Sequence, residues 1–92
     1  MTESVTRSLT IVNEKGLHAR ASARLVEVVE GFDATAEVTR DGQSASGDSI
    51  MGLLMLAASR GTTIDVQTRG ADAQALAEAI ETLVASRFGE DM

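Results

Sequence analysis

Apolar and polar residues first alternate along the chain and then recur every three to four positions. Leu9 and Ile11 alternate with polar neighbours, which predicts a strand with one buried face that ends in a turn at 13–16. From about 19 to 30 the apolar residues recur at helical spacing, and a glycine closes the pattern. The chain therefore starts with a strand and a helix, and His18 lies where the one gives way to the other.

The rest of the chain repeats these two patterns in a defined order. The further predicted elements are a strand at 34–38, its hairpin partner at 43–46, a helix at 50–58, a strand at 62–68 and a helix at 72–87. Asp41 and Gly42 form the predicted hairpin turn, and Asp48 or Ser49 is the predicted N-cap of the second helix. The order β-α-β-β-α-β-α favours an α+β domain, a four-stranded and mainly antiparallel sheet with three helices on one face.

The second predicted helix has almost no polar face. Ile50, Met51, Leu54 and Met55 occupy it together with further leucines. A helix that is apolar all round is normally buried, but a domain of this size cannot bury such a helix completely. We therefore expect some of these side chains to be exposed as a protein contact surface, with packing against neighbouring helices as the alternative.

Composition and charge narrow the class of protein. The 92 residues predict a single domain, 1–92, whose core is aliphatic because only Phe32 and Phe88 are aromatic. The net charge of −6 and the lack of a basic run make nucleic acid an improbable partner. The sequence has no cysteine, no signal-peptide pattern and no apolar run approaching the length of a membrane span, so a cytoplasmic protein without membrane insertion is expected.

The only histidine carries the strongest candidate chemistry. His18 lies in the segment 16–20 (GLHAR), at the start of the first helix, where free backbone amides and the helix dipole favour an anion. Arg20 places a cation at the unfavourable end of that dipole, which indicates that an anion is expected nearby. Lys15 and Arg24 extend this charge into a positive rim suited to an acidic partner, with an ordinary solvated surface as the alternative for these two residues. An ordinary capping histidine remains the alternative from these residues alone.

Other catalytic or metal chemistry is not indicated. The sequence has no phosphate-binding glycine loop, no second histidine and no paired carboxylates at a spacing suited to acid–base work. A single histidine without cysteine or a compact acidic cluster predicts no metal and no cofactor. Asp33, Asp65, Glu90 and Asp91 are interpreted as solvated surface. We therefore do not expect an independent enzyme active site.

Two segments together resemble the histidine-containing phosphocarrier (HPr) family of the phosphoenolpyruvate-dependent phosphotransferase system, or its relatives in the nitrogen-related branch. These are 16–20 (GLHAR) and 48–54 (DSIMGLL), which lie about 30 residues apart within the element order given above. The resemblance covers nearly the whole chain and implies the open-faced β-sandwich of that family. The segments 21–22 (AS) and 55–58 (MLAA) resemble members from alphaproteobacteria.

The resemblance implies a covalent carrier rather than a turnover enzyme. His18 would accept a phosphoryl group on Nδ1 from enzyme I and pass it to an enzyme IIA, either for sugar uptake or in a regulatory relay. The backbone amides of Ala19 and Arg20 would hold the phosphate oxygens, and the Arg20 guanidinium would balance the developing charge. The residues expected to dock partners are Ala19, Arg20, Arg24, Ile50, Met51, Leu54 and Met55. A monomer is sufficient for this role.

Ser49 aligns with the serine that an HPr kinase/phosphorylase phosphorylates in many members of the family. An N-cap serine is also an ordinary structural feature, and Asp48 would repel a phosphate beside it. A second departure is Ala21, where most relatives have proline. Because alanine is an excellent helix former, we expect the first turn of the helix to form regardless.

Two other functions are compatible with an α+β domain of this size. One is a small-molecule-binding regulatory module, in which His18 would be dispensable for binding. The other is an adaptor that uses the surface of Met51, Leu54 and Met55 and never carries phosphate. Replacing His18 with alanine distinguishes both alternatives from a carrier.

Overall fold

The computed structural model of the protein describes residues 4–92. Its strands are β1 (Ser4–Thr10), β2 (Thr35–Arg40), β3 (Gln43–Ser46) and β4 (Thr63–Arg69). Its helices are α1 (Ala19–Glu30), α2 (Ile50–Met55) and α3 (Ala73–Ala85), followed by a short 3₁₀ turn at Arg87–Gly89. The predicted element order is confirmed, and most boundaries agree within two residues.

The four strands form one antiparallel sheet in the order β1-β4-β2-β3. The long connections through α1, between β1 and β2, and through α2, between β3 and β4, allow strands that are distant in sequence to pair, so β4 lies between β1 and β2. The helices pack on one face: α3 contacts β1 and β4, α2 contacts β3, and α1 contacts the other two helices. The predicted α+β, open-faced β-sandwich is therefore confirmed.

The core lies between the sheet and the helical layer. Side chains of β4 alternate between buried and exposed, with Ile64 and Val66 fully buried, as expected for a sheet with one covered face. Leu25 of α1, Leu53 of α2 and Ile80 of α3 meet them from the helical side. The first helix begins at Ala19 with Ala21 buried in its first turn, so the expectation that this turn forms without proline is confirmed.

The second helix is shorter than its sequence pattern predicts. The pattern indicates a helix to position 58, but α2 ends at Met55, and Ala57 takes a positive φ of 51°. The carbonyl of Ala58 accepts a hydrogen bond from the backbone N–H of Leu17 (2.8 Å), and the carbonyl of Leu56 accepts one from the Arg40 guanidinium (3.0 Å). These tertiary partners redirect the backbone despite the high helix propensity of alanine.

The third helix also ends before its predicted boundary. Instead of continuing to 87, α3 stops at Ala85, and Arg87, Phe88 and Gly89 all have positive φ (59°, 55° and 77°). A left-handed backbone costs a non-glycine residue about 1–2 kcal/mol. Arg87 and Phe88 together therefore cost about 2–4 kcal/mol. Phe88 is fully buried in the core, which offsets much of that cost, about 1.5–3 kcal/mol. The reversal turns the segment 89–92 back toward the start of α1.

Within the described residues 4–92, no helix is both long enough and apolar enough to cross a membrane.

Candidate functional site

His18 is the N-cap of α1. Its backbone is extended (φ −78°, ψ −175°), and its carbonyl accepts the first hydrogen bond of the helix, from the N–H of Ser22 (2.8 Å). Its side chain folds back so that Nδ1 accepts a hydrogen bond from the backbone N–H of Arg20 (3.2 Å). The histidine is half-buried. Sequence reasoning placed His18 correctly at the start of the helix, and the structure adds that Nδ1 is directed at the free amides of the first turn.

A tight turn before α1 holds His18 in this position. Gly16 has a φ of +66°, and a Cβ on it would lie 2.5 Å from the carbonyl oxygen of Ala58. The same carbonyl accepts the hydrogen bond from the Leu17 N–H, while the side-chain amide of Asn13 donates to the carbonyl of Gly16 (2.8 Å). The turn at 13–16 is thus attached to the segment that follows α2, and only glycine fits at its closest approach.

The second ring nitrogen of His18, Nε2, contacts the carboxylate of Glu90, a residue whose sequence context predicts solvated surface. That interpretation is wrong for Glu90: its Oε2 pairs with Nε2 of His18, and its Oε1 accepts a hydrogen bond from the Asn13 side-chain amide (3.0 Å). Its side chain is only 17% exposed. The buried Phe88 and the chain reversal around it bring Glu90 here across more than 70 positions of sequence, a contact that no local pattern reveals.

The environment of Glu90 keeps it ionised. Burial by itself raises the pKa of this carboxyl, but hydrogen bonds from His18 and Asn13 and electrostatic attraction to the His18 ring and to Lys15 outweigh burial. The pKa of Glu90 therefore lies below its ordinary value. At neutral pH the group next to Nε2 is a carboxylate, which can only accept a hydrogen bond.

The two contacts of the ring together select one tautomer of neutral His18. The N–H of Arg20 donates to Nδ1, which must then present a lone pair, and the carboxylate of Glu90 accepts from Nε2, which must then carry the proton. The unprotonated nitrogen is the nucleophilic one. The structure therefore directs the lone pair of Nδ1 toward the helix N-terminus.

An open cleft of about 690 Å³ adjoins this histidine. Lys15, Arg20 and Arg24, the predicted positive rim, all line it, and Arg20 and Arg24 are exposed on successive turns of α1. Ala19 is also exposed at the cleft. Cations and free amides next to a nucleophilic nitrogen suit a transferable anionic group such as a phosphoryl.

Ser49 is the N-cap of α2, and its Oγ accepts a hydrogen bond from the N–H of Gly52 (3.0 Å). Of the two predicted capping residues, Ser49 is thus the correct one. Asp48 instead accepts a hydrogen bond from the Ser46 hydroxyl (2.5 Å). The capping bond gives Ser49 a structural role whether or not it is modified.

The apolar residues of α2 are divided between core and surface. Leu53 is fully buried, Leu54 is half-buried, and Met51 and Met55 are 70% and 75% exposed. Ile50 is exposed as well. Because α2 packs against α1, these side chains and the cationic residues of α1 belong to two contacting helices. The expectation that part of α2 remains exposed is confirmed.

Comparison with known proteins identifies the family. A family model described as the PTS HPr component phosphorylation site matches residues 5–86. The chain belongs to the HPr family. It is 44% identical over 84 residues to the phosphocarrier protein HPr of Cupriavidus necator, and the aligned region covers 91% of this chain and 94% of that protein. It is 42% identical to the phosphocarrier protein NPr of Shewanella violacea, over 91% and 92% of the two chains.

The fold agrees with solved HPr structures. HPr of Thermoanaerobacter tengcongensis superimposes with a TM-score of 0.87 at 32% identity, over 98% of this chain and 99% of that one. Membership of the HPr family makes the chain a phosphocarrier of the phosphotransferase system, which supports the carrier hypothesis over the ligand-binding and adaptor alternatives. His18 and Ser49 lie inside the matched region, whereas Glu90 lies beyond it.

The described part of the chain, 4–92, holds no group of three or more histidine, cysteine or acidic side chains placed to bind a metal ion.

Proposed function

We propose that His18 accepts a phosphoryl group on Nδ1 from phosphorylated enzyme I and passes it to enzyme IIA proteins. The observation that carries this proposal is the position of Nδ1, which faces the N-terminal amides of α1 with its lone pair unprotonated. The protein is in this proposal a covalent carrier whose catalysis is shared with its partners, and it acts as a monomer in the cytoplasm.

The hydrogen bond from Arg20 to Nδ1 has a double role in this reaction. At 3.2 Å it is long, so an incoming phosphoryl group displaces it at small cost. Once the new nitrogen–phosphorus bond exists, the same N–H, with that of Ala19, is free to donate to a phosphate oxygen. The exposed guanidinium of Arg20 then adds a charge-assisted contact during transfer.

The proposed docking surface consists of Ala19, Arg20 and Arg24 of α1 with Ile50, Met51, Leu54 and Met55 of α2. Its apolar part supplies adaptable contact area, because methionine side chains adjust to different partners. Its cationic part borders the phosphoryl site and steers acidic partner surfaces toward it. One surface of this kind can serve enzyme I and enzyme IIA in turn.

The test is the intact mass after incubation with phosphoenolpyruvate, Mg²⁺ and an enzyme I from the same organism. We expect one added phosphate, lost in mild acid, on the wild type and none on His18→Ala. A serine phosphate survives mild acid, so lability separates the two kinds of modification. A correctly folded wild type that gains no phosphate would refute the proposal.

The recipients are enzyme IIA proteins of the sugar-uptake or of the nitrogen-related branch. Relatives named HPr and NPr have similar identities to this chain, 44% and 42%, so overall similarity does not separate the branches. Transfer rates from the phosphorylated protein to purified IIA proteins of each branch do separate them. The branch whose IIA is phosphorylated at least tenfold faster is the physiological one.

A regulatory phosphorylation of Ser49 by an HPr kinase/phosphorylase is proposed as a second function of the same surface. The supporting observation is that Ser49 precedes the exposed Ile50 and Met51. A phosphate there would add nearly two negative charges to a partner-binding apolar surface. Incubation with the kinase and ATP should give an acid-stable phosphate that is absent from Ser49→Ala, and an unmodified wild type would contradict this assignment.

A further inference from the structure

We propose that Glu90 is a positioning residue for His18: its carboxylate holds the ring proton on Nε2 and thereby keeps Nδ1 available to receive the phosphoryl group. The inference rests on the proposed function of His18 and deepens it. Glu90 lies outside residues 5–86, the region matched by the family model, so the assignment comes from the structure of this chain alone.

The imidazole is held from two sides by groups of opposite character. The Arg20 N–H donates to Nδ1 and the Glu90 carboxylate accepts from Nε2, so both contacts favour the same tautomer. The Arg20 bond is long at 3.2 Å, and the charge-assisted contact to Glu90 is the stronger of the two. A carboxylate hydrogen-bonded to the far nitrogen of a catalytic histidine is a known means of fixing both the tautomer and the ring orientation. Turning the ring over would break both contacts at once.

Glu90 is itself held in place, which distinguishes it from a mobile surface acid. Its two oxygens have separate partners, since Oε2 contacts His18 while Oε1 accepts from the buried Asn13. Two residues before Glu90, the side chain of Phe88 is fully buried in the core. Two residues after it, the carbonyl of Met92 accepts a hydrogen bond from the N–H of Glu14 (3.1 Å). The carboxylate is thus preorganised, so little conformational freedom is lost when His18 reacts.

Positive charge develops on the His18 ring during phosphoryl transfer, and Glu90 lies next to it. In the transfer the Nδ1 lone pair forms the new nitrogen–phosphorus bond, while the bond from phosphorus to the donor breaks and its electron pair returns to the donor atom. The proton on Nε2 stays on His18. As Nδ1 gives up electron density the ring becomes more positive, and the adjacent carboxylate stabilises that charge.

Three variants test this role against a purely structural one. Glu90→Gln keeps the size of the side chain, but its amide can donate to Nε2 and so favour the wrong tautomer. Glu90→Asp keeps the carboxylate on a shorter stem and serves as the conservative variant. Asp91→Asn is the matched control, since it removes the same charge from the neighbouring, exposed residue.

Two readouts are needed. The first is the set of ¹⁵N chemical shifts of the His18 ring in the unphosphorylated protein, which report which nitrogen carries the proton. The second is the single-turnover rate of phosphoryl transfer from phosphorylated enzyme I, measured against carrier concentration so that the maximal rate and the half-saturating concentration are separated.

We expect the wild type and Asp91→Asn to show a protonated Nε2 and an unprotonated Nδ1. Glu90→Gln should shift the ring toward the other tautomer and lower the maximal rate by about tenfold or more, with little change in half-saturation, as for other residues that orient a functional histidine. Glu90→Asp should recover part of the wild-type tautomer preference and part of the maximal rate. A merely structural role would lower thermal stability without moving the ring shifts of the folded protein.

Two results would overturn the inference: wild-type ring shifts that place the proton on Nδ1, or a folded Glu90→Gln with unchanged shifts and an unchanged maximal rate. Failure of the proposed function is distinguishable from both, because the wild type would then accept no phosphate at all. The ring shifts would still test whether Glu90 sets the tautomer.

Discussion

Replacing Gly16 with alanine tests the idea that the turn before α1 positions His18 through its contact with Ala58. Two penalties are expected. The residue must keep a φ of +66°, and its new Cβ would lie 2.5 Å from the Ala58 carbonyl oxygen and 2.9 Å from the Cα of Ser59. Both neighbours are backbone atoms, so no flexible side chain can move aside.

The magnitude follows from these two terms. A left-handed backbone costs a non-glycine residue about 1–2 kcal/mol. Relieving the overlap separates the turn from Ala58 and weakens the hydrogen bond that the Leu17 N–H makes to the same carbonyl (2.8 Å), which removes a further 0.5–1.5 kcal/mol or so. We expect Gly16→Ala to lower the free energy of unfolding by about 2–3 kcal/mol.

Gly42→Ala is the matched control. Gly42 also has a positive φ, +81°, but nothing lies within 4 Å of the Cβ it would acquire. Its substitution carries the backbone penalty only, about 1–2 kcal/mol. The reduced flexibility of the unfolded chain affects both variants alike and cancels in the comparison.

Urea unfolding gives the two free energies, and single-turnover phosphoryl acceptance gives the effect on the site. We expect Gly16→Ala to be about 1 kcal/mol less stable than Gly42→Ala and to accept phosphate more slowly, because His18 moves with the turn. Equal stabilities and equal transfer rates in the two variants would refute the view that close contact with Ala58 sets the position of His18.

Three further outcomes are expected. Because the pKa of Glu90 lies below its usual value in the folded protein, its carboxylate contributes stability that is fully present above the unfolded-state pKa and is lost as the pH falls through the folded-state value. The difference in urea midpoint between wild type and Glu90→Gln should therefore shrink below about pH 4.3, and a difference that keeps growing as the pH falls below that value would contradict this. Ser49→Ala removes the cap on the Gly52 N–H and should cost about 1 kcal/mol, whereas Ser49→Asp retains a capping oxygen and should cost less, as thermal or urea unfolding will show. The side chain of Met51 is 70% exposed, so Met51→Glu should change the free energy of unfolding by no more than about 0.5 kcal/mol. It should raise the half-saturating concentration of carrier in transfer from enzyme I. An unchanged half-saturating concentration would show that Met51 is not part of the docking surface.

Much of the fold was predictable because its signals are local. Alternation around Ile64 and Val66 indicates a strand with one covered face, and the 3.6-residue spacing of apolar residues indicates α1 and α3. The N-cap position of His18 was predictable for the same reason, since a strand pattern ends and a helical pattern begins there. The exposed side chains of α2 followed from the small size of the domain.

The sequence-based predictions of helix ends are wrong where a contact with a distant part of the chain redirects the backbone. The pattern around Ala57 and Ala58 predicts helix, but the Leu17 N–H takes the Ala58 carbonyl as its partner and α2 stops early. The predicted end of α3 is wrong for a similar reason, because burial of Phe88 in the core reverses the direction of the chain.

The sequence by itself determined which elements form, how they alternate and that His18 lies at the start of α1. Those properties depend on residue types only a few positions apart, so hydrophobic periodicity and capping chemistry encode them directly. Only the tertiary structure decided that Glu90 contacts His18 and that Nδ1 is the ring nitrogen left unprotonated. A hydrogen bond between residues separated by 72 positions depends on the packing of the whole core, which no local sequence pattern encodes.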